Sequence, residues 1–489
     1  MKVNIQENYL WEKLILGSVE IWLKGYIYNK SIMQLIKDLQ VLKKENFESY
    51  LLSLDGHYAL VAQRDGITLV VVDKVRSIPL FYDSEEISSH APSLIYSKKL
   101  NLDAIVSLKM SGFTIGEDTL YKGLSSLIAG QFILCENDEI VKKQYYQYQP
   151  WQVDQKKYDV ELLAKTTLGI LKKMIKSLNG RQVIIPLSAG NDSRLIASGL
   201  KELGYENVKC YSYGIEGNFE AKIAKIIAKR LGYEFMFIPL NIKDERKYYK
   251  SIEFKNFLKF ADTLVAVQFF QSISTIPKLK DWIDDDAIFI NGNSGDFISG
   301  GHIKQSFHEA SDKLTIKERL EVLTRDSINK HFSLWGSLKT KDNLDNISNQ
   351  LLKEIPINLK STKNDHGLYE YLEFNNRQSK YVISGQRCYE FYGYQWRLPL
   401  WDDDYLDFWK GVPLRLKKNQ KLYIEMLKKE NWGNVWGNDI PINKKYIRPL
   451  WILPLRVLAK IPFIFLSKNA WHNFEIIFFY YFMDVTRMM

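Results

Sequence analysis

Apolar residues recur at helical spacing over residues 158–178 and lead into Val183-Ile184-Ile185-Pro186, a short apolar run rich in β-branched residues that reads as a strand. A small-residue turn follows, Leu187-Ser188-Ala189-Gly190, and after it a second helix-like segment. Further strands are predicted over 208–214, 235–240 and 287–290, with a helix over 218–231 and a largely helical pattern over 259–282. Strands alternating with helices of this length predict an α/β fold with a doubly wound parallel sheet, whose ligand sits at the carboxyl ends of the strands. Residues 301–381 read as polar and rich in helix.

The first 150 residues have a different pattern. They read as mostly antiparallel β with one helix over 31–42, and Arg64-Asp65-Gly66 joins two predicted strands, 51–63 and 67–72, as a hairpin. From Pro441 the chain changes again. Lys444, Lys445, Arg448, Arg456, Lys460 and Lys468 alternate with Trp451, Phe463, Phe465 and Trp471, and Pro449, Pro454 and Pro462 break the stretch into short pieces. Such a tail either lies at an anionic membrane surface or packs on the body of the protein. The expected organisation is an α+β domain over 1–150, an α/β domain over 151–440 and a basic aromatic tail over 441–489.

Composition narrows the class. A chain of 489 residues is long enough for two or three cores, and 46% hydrophobic with 25% charged residues is the balance of a globular protein. The net charge of +10 suits a polyphosphate or anionic lipid partner, whereas the motifs of nucleic-acid readers are missing, so no nucleic acid is expected. Cys135, Cys210 and Cys388 are too few and too scattered for a disulfide framework or a cysteine metal site. Neither a signal-peptide pattern nor a bilayer-length apolar run occurs, and the expected location is the cytoplasm, with possible peripheral contact at the inner face of the membrane.

Chemistry belongs at the turn after residue 186. Ser-Ala-Gly lets the backbone approach a ligand, and the first N–H groups of the next helix can hold an anion. Asp192 would repel phosphate unless a divalent cation lay between them. An ordinary strand-turn-helix with a capping Ser or Asp gives the same spacing. Tyr213-Gly214, after the next strand, is either part of a nucleoside site or a plain loop. Asp284-Asp285-Asp286 reads as a solvated loop, because three consecutive carboxylates do not converge on one point. The strand at 287–290 runs into a second Gly-rich turn, Asn291-Gly292-Asn293-Ser294-Gly295-Asp296-Phe297-Ile298-Ser299-Gly300-Gly301-His302.

These residues carry a resemblance. Ser188-Ala189-Gly190-Asn191-Asp192-Ser193 resembles the S-G-G-x-D-S pyrophosphate loop of N-type ATP pyrophosphatases, and of asparagine synthetases in particular. The Gly292–Gly301 block is similar to their G-E-G-x-D-E-x-x-G-G-Y motif, and Gln395-Trp396-Arg397-Leu398-Pro399-Leu400-Trp401-Asp402 to their E-x-R-x-P-x-x-D motif. The resemblance implies ATP and Mg2+ as cofactors. It implies that Ser188, Gly190 and Ser193 hold pyrophosphate, with Ala189, Asn191 and Gly292 completing the nucleotide site and Asp192 and Asp296 sharing magnesium. Lys421 matches the lysine that neutralises phosphate charge in the transition state, although Lys417 and Lys418 lie close enough to replace it. Asn293 and Phe297 stand where the family has glutamates.

The amino-terminal part resembles a degraded class II glutamine amidotransferase domain. Its blocks are Gly25-Tyr26-Ile27-Tyr28-Asn29, Leu54-Asp55-Gly56-His57-Tyr58-Ala59-Leu60, the segment from Asp73 to Tyr82, and Thr119 to Leu124 followed by Ala129-Gly130-Gln131. Active members use an N-terminal cysteine, and here the second residue is Lys2, with Lys24 in a glutamine-binding Asn position. The implied function is ATP-dependent amide formation through an acyl-adenylate, with ammonia or a separate glutaminase as nitrogen source. By analogy the acceptor is a small-molecule or lipid-linked sugar carboxylate in bacterial surface-polysaccharide synthesis. A lasso-type peptide cyclase and a catalytically silent binding protein are the alternatives.

Overall fold

The computed structural model describes residues 1–137, 139–151, 156–307, 314–356, 364–442, 452–465, 470–471, 474–475 and 478. Its amino-terminal part is built on a six-stranded antiparallel sheet. The strands run in the order Glu139–Gln144, Gln131–Glu136, Ile67–Val72, Gly56–Arg64, Val19–Ile27, Trp11–Leu16. A second, four-stranded sheet sets Lys2–Asn4 parallel to Glu86–Ser88, with Phe81–Tyr82 and Ser125–Ser126 antiparallel beyond it. The helix Ile32–Val41, capped by Ser31, covers the first sheet with Leu35, Ile36 and Leu39.

The helix Val160–Leu178 opens the second part. Asp159 caps it, and Leu163, Thr167, Ile170, Leu171, Met174 and Leu178 fall on the buried face that the helical spacing predicts. Beside it lies a five-stranded sheet in the order Glu234–Pro239, Val208–Gly214, Val183–Pro186, Ile288–Ile290, Gln395–Arg397. All its neighbours are parallel. From Val183–Pro186 the chain builds outward on one side and then returns to build on the other. This reversal opens a crevice beyond the carboxyl ends of Val183–Pro186 and Ile288–Ile290.

Two expected elements differ. Residues 51–53 are not strand: a helix, Phe47–Ser53, precedes the strand Gly56–Arg64, because Phe47 and Leu51 are spaced to bury against the sheet. The largely helical reading of 259–282 is also corrected. The helix Ile252–Ala261 ends there, and the chain crosses to the amino-terminal part, where Leu264 accepts from the Leu120 amide, Val265 from that of Thr114, and Val267 donates to Gly112. Backbone pairing with a distant segment overrode local periodicity. A short turn of 3-10 helix, Ile273–Leu279, follows.

The two parts share one continuous hydrophobic core, in which Trp22, Ala59, Val61 and Val70 join the layer that holds Ile184 and Phe289. Buried charges cross the same junction. Lys24 Nζ lies 2.7 Å from Glu390 Oε2, with both side chains at most 3% exposed. Burial lowers the Lys24 ammonium; burial alone would raise Glu390, but Lys24 and Arg387 outweigh it and hold that carboxyl below its usual range. Lys380 Nζ donates to the Thr114 and Gly116 carbonyls at 2.8 and 2.6 Å, and Arg76 donates to the Ser379 carbonyl. Removing one member of a buried pair strands the other. Lys24→Met should therefore lower unfolding free energy by about 3–5 kcal/mol, and adding Glu390→Gln should recover most of it, as measured by urea denaturation.

Candidate active site

The strand Val183–Pro186 ends because the residues after it turn back on themselves through their own hydroxyls. Ser188 N donates to Ser193 Oγ at 3.1 Å, Gly190 N donates to Ser188 Oγ at 3.1 Å, and the two hydroxyls lie 3.1 Å apart. The helix Asn191–Glu202 starts at Gly190, which has no side chain to cap it. Its first N–H groups thus face the crevice without a side-chain cap, at the positive end of the helix dipole. Ala189 is fully buried outside the left-handed region, so its methyl costs the loop no strain. Arg194, also fully buried, binds the Ala189 carbonyl at 2.9 Å and the Val435 and Pro441 carbonyls at 3.1 and 3.0 Å, tying the loop to the chain beyond it.

The second Gly-rich turn meets this helix start backbone to backbone. A Cβ at Gly292 would stand 2.6 Å from the Ser193 nitrogen, and one at Gly295 would stand 2.6 Å from Asp192 Oδ1. Glycine is required at both positions by this approach. The short helix Gly295–Ile298 then carries Asp296, whose backbone N–H donates to Asp192 Oδ2 at 3.1 Å, while Tyr423 Oη donates to Oδ1 at 3.0 Å. Ser188, Gly190, Asn191, Asp192, Ser193, Asn291, Gly292, Asn293, Asp296 and Gln420, with Pro186, line a cavity of about 440 Å3. That volume is within the range of small-molecule sites.

Burial pushes the Asp192 carboxyl up to about 7, with the Asp296 charge adding to the effect. Asp296 goes the other way. Its burial alone would raise it, but His302, with Nε2 at 3.1 Å, outweighs this and holds it below the usual carboxylate range. His302 in turn sets Nδ1 2.5 Å from the buried Glu373, and its two carboxylates overcome burial to lift it to about 9. Glu373 also meets His331 at 3.0 Å, Lys330 at 3.2 Å and Gln378 at 2.8 Å, and against the cost of burial His302 and His331 hold its carboxyl well below normal. Gln378 accepts from Ser294 Oγ at 3.0 Å, so this buried cluster braces the turn that presents Asp296.

The other expected site residues are placed less simply. Tyr213 and Gly214 end the neighbouring strand Val208–Gly214 but do not line the cavity. Lys417 is fully buried and paired with Glu370 at 2.8 Å, which removes it as a substitute for Lys421. Lys421 starts the helix Lys421–Glu430 directly after Gln420 and keeps its side chain 56% exposed, 4.0 Å from Glu425 and outside the cavity wall. Phe297 turns inward, 1% exposed, and stacks on Trp401. Arg397 and Asp402 are structural: Arg397 binds Ser177 and stacks over Tyr26, and Asp402 caps the helix Asp403–Gly411 and meets Lys173 at 2.7 Å.

Sequence reading missed Arg194, Tyr423, Gln420 and the His302–Glu373 pair. His302 closes the Gly-rich stretch already singled out, and Gln420 and Tyr423 flank Lys421, so their positions carried a signal. Nothing local marked Arg194 or Glu373.

Two carboxylates and an uncapped helix start around one cavity fit a magnesium nucleotide, because Mg2+ commonly takes one or two carboxylates and completes its shell with water and phosphate. Among the described residues no group of three or more His, Cys, Asp or Glu converges as a self-sufficient metal site.

The fold is that of an α/β protein with a cavity at a strand-order reversal of its parallel sheet. The family model of asparagine synthase matches residues 178–430, more than half of the chain, and the chain belongs to that family. No curated protein matches it. Among solved structures it is similar to the glutamine phosphoribosylpyrophosphate amidotransferase from B. subtilis complexed with ADP and GMP, at 9% identity and a TM-score of 0.17, over 58% of this chain and 64% of that one. A structure titled as the allosteric regulatory enzyme of purine biosynthesis is similar at 8% identity and a TM-score of 0.14, over 57% of this chain and 55% of that one. The chain thus spans less than two thirds of either protein, and likenesses at these scores leave the fold to be read from its own sheets.

The raised Asp192 carboxyl gives a signed prediction. Between its unfolded value near 3.8 and its folded value of about 7, the native state binds the extra proton, so stability falls as pH rises through that window. Asp192→Asn should remove this loss. The ligand-free variant should match wild type near pH 4 and melt higher above pH 7, read by thermal unfolding across that range.

Proposed function

We propose that the chain is an ATP-dependent carbon–nitrogen ligase that amidates a carboxylate through an acyl-adenylate, releasing AMP and pyrophosphate. The observation that carries this reading is the convergence of Asp192 and Asp296, from two strand ends, beside the uncapped start of the helix Asn191–Glu202. Family membership supports ATP-dependent amidation in general. Ser188, Gly190 and Ser193 would bind the pyrophosphate portion through hydroxyl and backbone N–H groups, as helix starts bind phosphate. Asp192 and Asp296 would hold Mg2+, which neutralises phosphate charge when bound. Lys421, free to swing from its exposed helix start, would meet the departing phosphates.

In the reaction a carboxylate oxygen attacks the α-phosphorus and pyrophosphate leaves; an amine nitrogen then attacks the acyl carbon and AMP leaves. We assign the carboxylate to a sugar acid of bacterial surface-polysaccharide synthesis. Support comes from Asn293 lining the cavity where the family motif has a glutamate, and from Lys24 standing at a glutamine-binding Asn position, both of which separate this chain from a glutamine-dependent aspartate ligase. Lys2 sits at the edge of the second sheet, 75% exposed and 3.7 Å from Glu86, and Lys24 is spent in its buried pair. Free ammonia or a separate glutaminase would supply nitrogen.

Pyrophosphate release, screened over uronic acids and acidic peptides with ammonia present, tests the reading; release with peptides alone would replace the sugar acid. Asp192→Asn and Asp296→Asn should each weaken the magnesium–ATP complex by roughly 1–3 kcal/mol. The readout is the melting temperature as magnesium and ATP are titrated, and equal stabilisation of wild type and both variants would remove these carboxylates from the site. Glutamine incubated with the pure protein should give glutamate no faster than buffer does.

A further inference from the structure

The region beyond residue 441 is chemically unlike the rest of the chain. It holds seven Lys or Arg and two Asp or Glu, so half of the net charge of +10 lies in the last 49 residues. Lys444, Lys445, Arg448, Trp451 and Lys468 lie outside the described residues. Within the described part, a helix, Ile452–Lys460, continues into a 3-10 turn, Ile461–Phe465. Leu453, Leu455, Val457, Leu458, Ile461 and Ile464 all stand in solvent, from 36% exposed at Leu453 to 69% at Ile464. At helical spacing they cover roughly half of the circumference, with Arg456 and Lys460, one turn apart, at its edge.

This segment is held by its own aromatic underside. Phe463 packs on Trp471 and Phe474 with ring centroids 5.5 and 4.9 Å apart, and Arg456 pairs with Glu475 and lies 5.7 Å over Trp471. Among the described residues, no member of the segment joins any of the three hydrophobic cores of the body. Ile452 is the buried residue of the helix, so packing on the body leaves the outer apolar arc uncovered. An exposed apolar arc of this kind needs a cover.

We infer that this face docks on an anionic lipid bilayer, lying in the headgroup region with its apolar arc among the acyl chains and its cations on the lipid phosphates. Charge selects this occupant. The tail and the remainder of the chain are both net positive, so neither a second copy nor the chain's own body complements it electrostatically, whereas an anionic surface does. Length selects the geometry. Fourteen helical residues with two cations are too short and too charged to cross a bilayer, and among the described residues no helix is long and apolar enough to do so. They are suited to lying in the interface.

Sedimentation of the full chain with vesicles of phosphatidylcholine, with and without phosphatidylglycerol, tests the inference. Wild type should bind the phosphatidylglycerol vesicles, bind the neutral ones less, and release as salt rises. Leu455→Ser/Val457→Ser/Leu458→Ser should lower partitioning by roughly tenfold or more, and Arg456→Gln/Lys460→Gln should weaken the preference for phosphatidylglycerol. Unchanged thermal unfolding of both variants shows that the body still folds. Wild-type binding by the serine variant, or failure of wild type to bind phosphatidylglycerol vesicles at low salt, overturns the inference. So does a lipid-free dimer that the serine substitutions dissociate, because a second copy would then be the occupant.

Discussion

The close approach of the 292–296 turn to the start of the helix Asn191–Glu202 is the constraint on which the cavity depends. Two peptide segments about a hundred residues apart come within contact because Gly292 and Gly295 have no Cβ to hold them off. Once they meet, the Asp296 N–H reaches the Asp192 carboxylate, and two acidic groups end beside one cavity. Burial pushes the Asp192 carboxyl towards neutrality, and the Asp296 charge beside it adds to the effect.

Support for that turn comes from a separate layer of buried charge. Glu373 gathers His302, His331, Lys330 and Gln378, and through His302 and Ser294 it fixes the position of Asp296. A buried carboxylate with so many donors is rigid, because losing any partner exposes an uncompensated charge. Phe297 serves the same end by apolar means, anchoring the turn against Trp401.

The amino-terminal part, built on its own antiparallel sheet, is bound to the parallel-sheet part by buried charge. Lys24 spends its charge on Glu390 across the junction, and Arg76 and Lys380 bind backbone carbonyls on opposite sides of it. One hydrophobic core runs through both parts. The parallel sheet is therefore buttressed by a neighbour that positions its helices and the Gln395–Arg397 strand, as the hydrogen bond from the Leu398 amide to Tyr26 Oη illustrates.

Local chemistry alone determined the helix Val160–Leu178, the strands Val183–Pro186 and Val208–Gly214, the hydroxyl-rich turn at Ser188 and the Gly-rich turn at Gly292, because periodicity and small residues act over a few positions. The motif resemblance also pairs Asp192 with Asp296, which meet through the Asp296 N–H. Tertiary structure decided the rest. It separated Lys417, buried on Glu370, from Lys421, left in solvent, although the two are four residues apart and alike in sequence. It turned Arg397 and Asp402 into supports, drew residues 264–267 into backbone pairing with 112–120 instead of a helix, and recruited Arg194, Tyr423 and His302 to the site. Each of these outcomes depends on partners that are far away in the chain. Burial and long-range charge set them, and neither is written in the spacing of neighbouring residues.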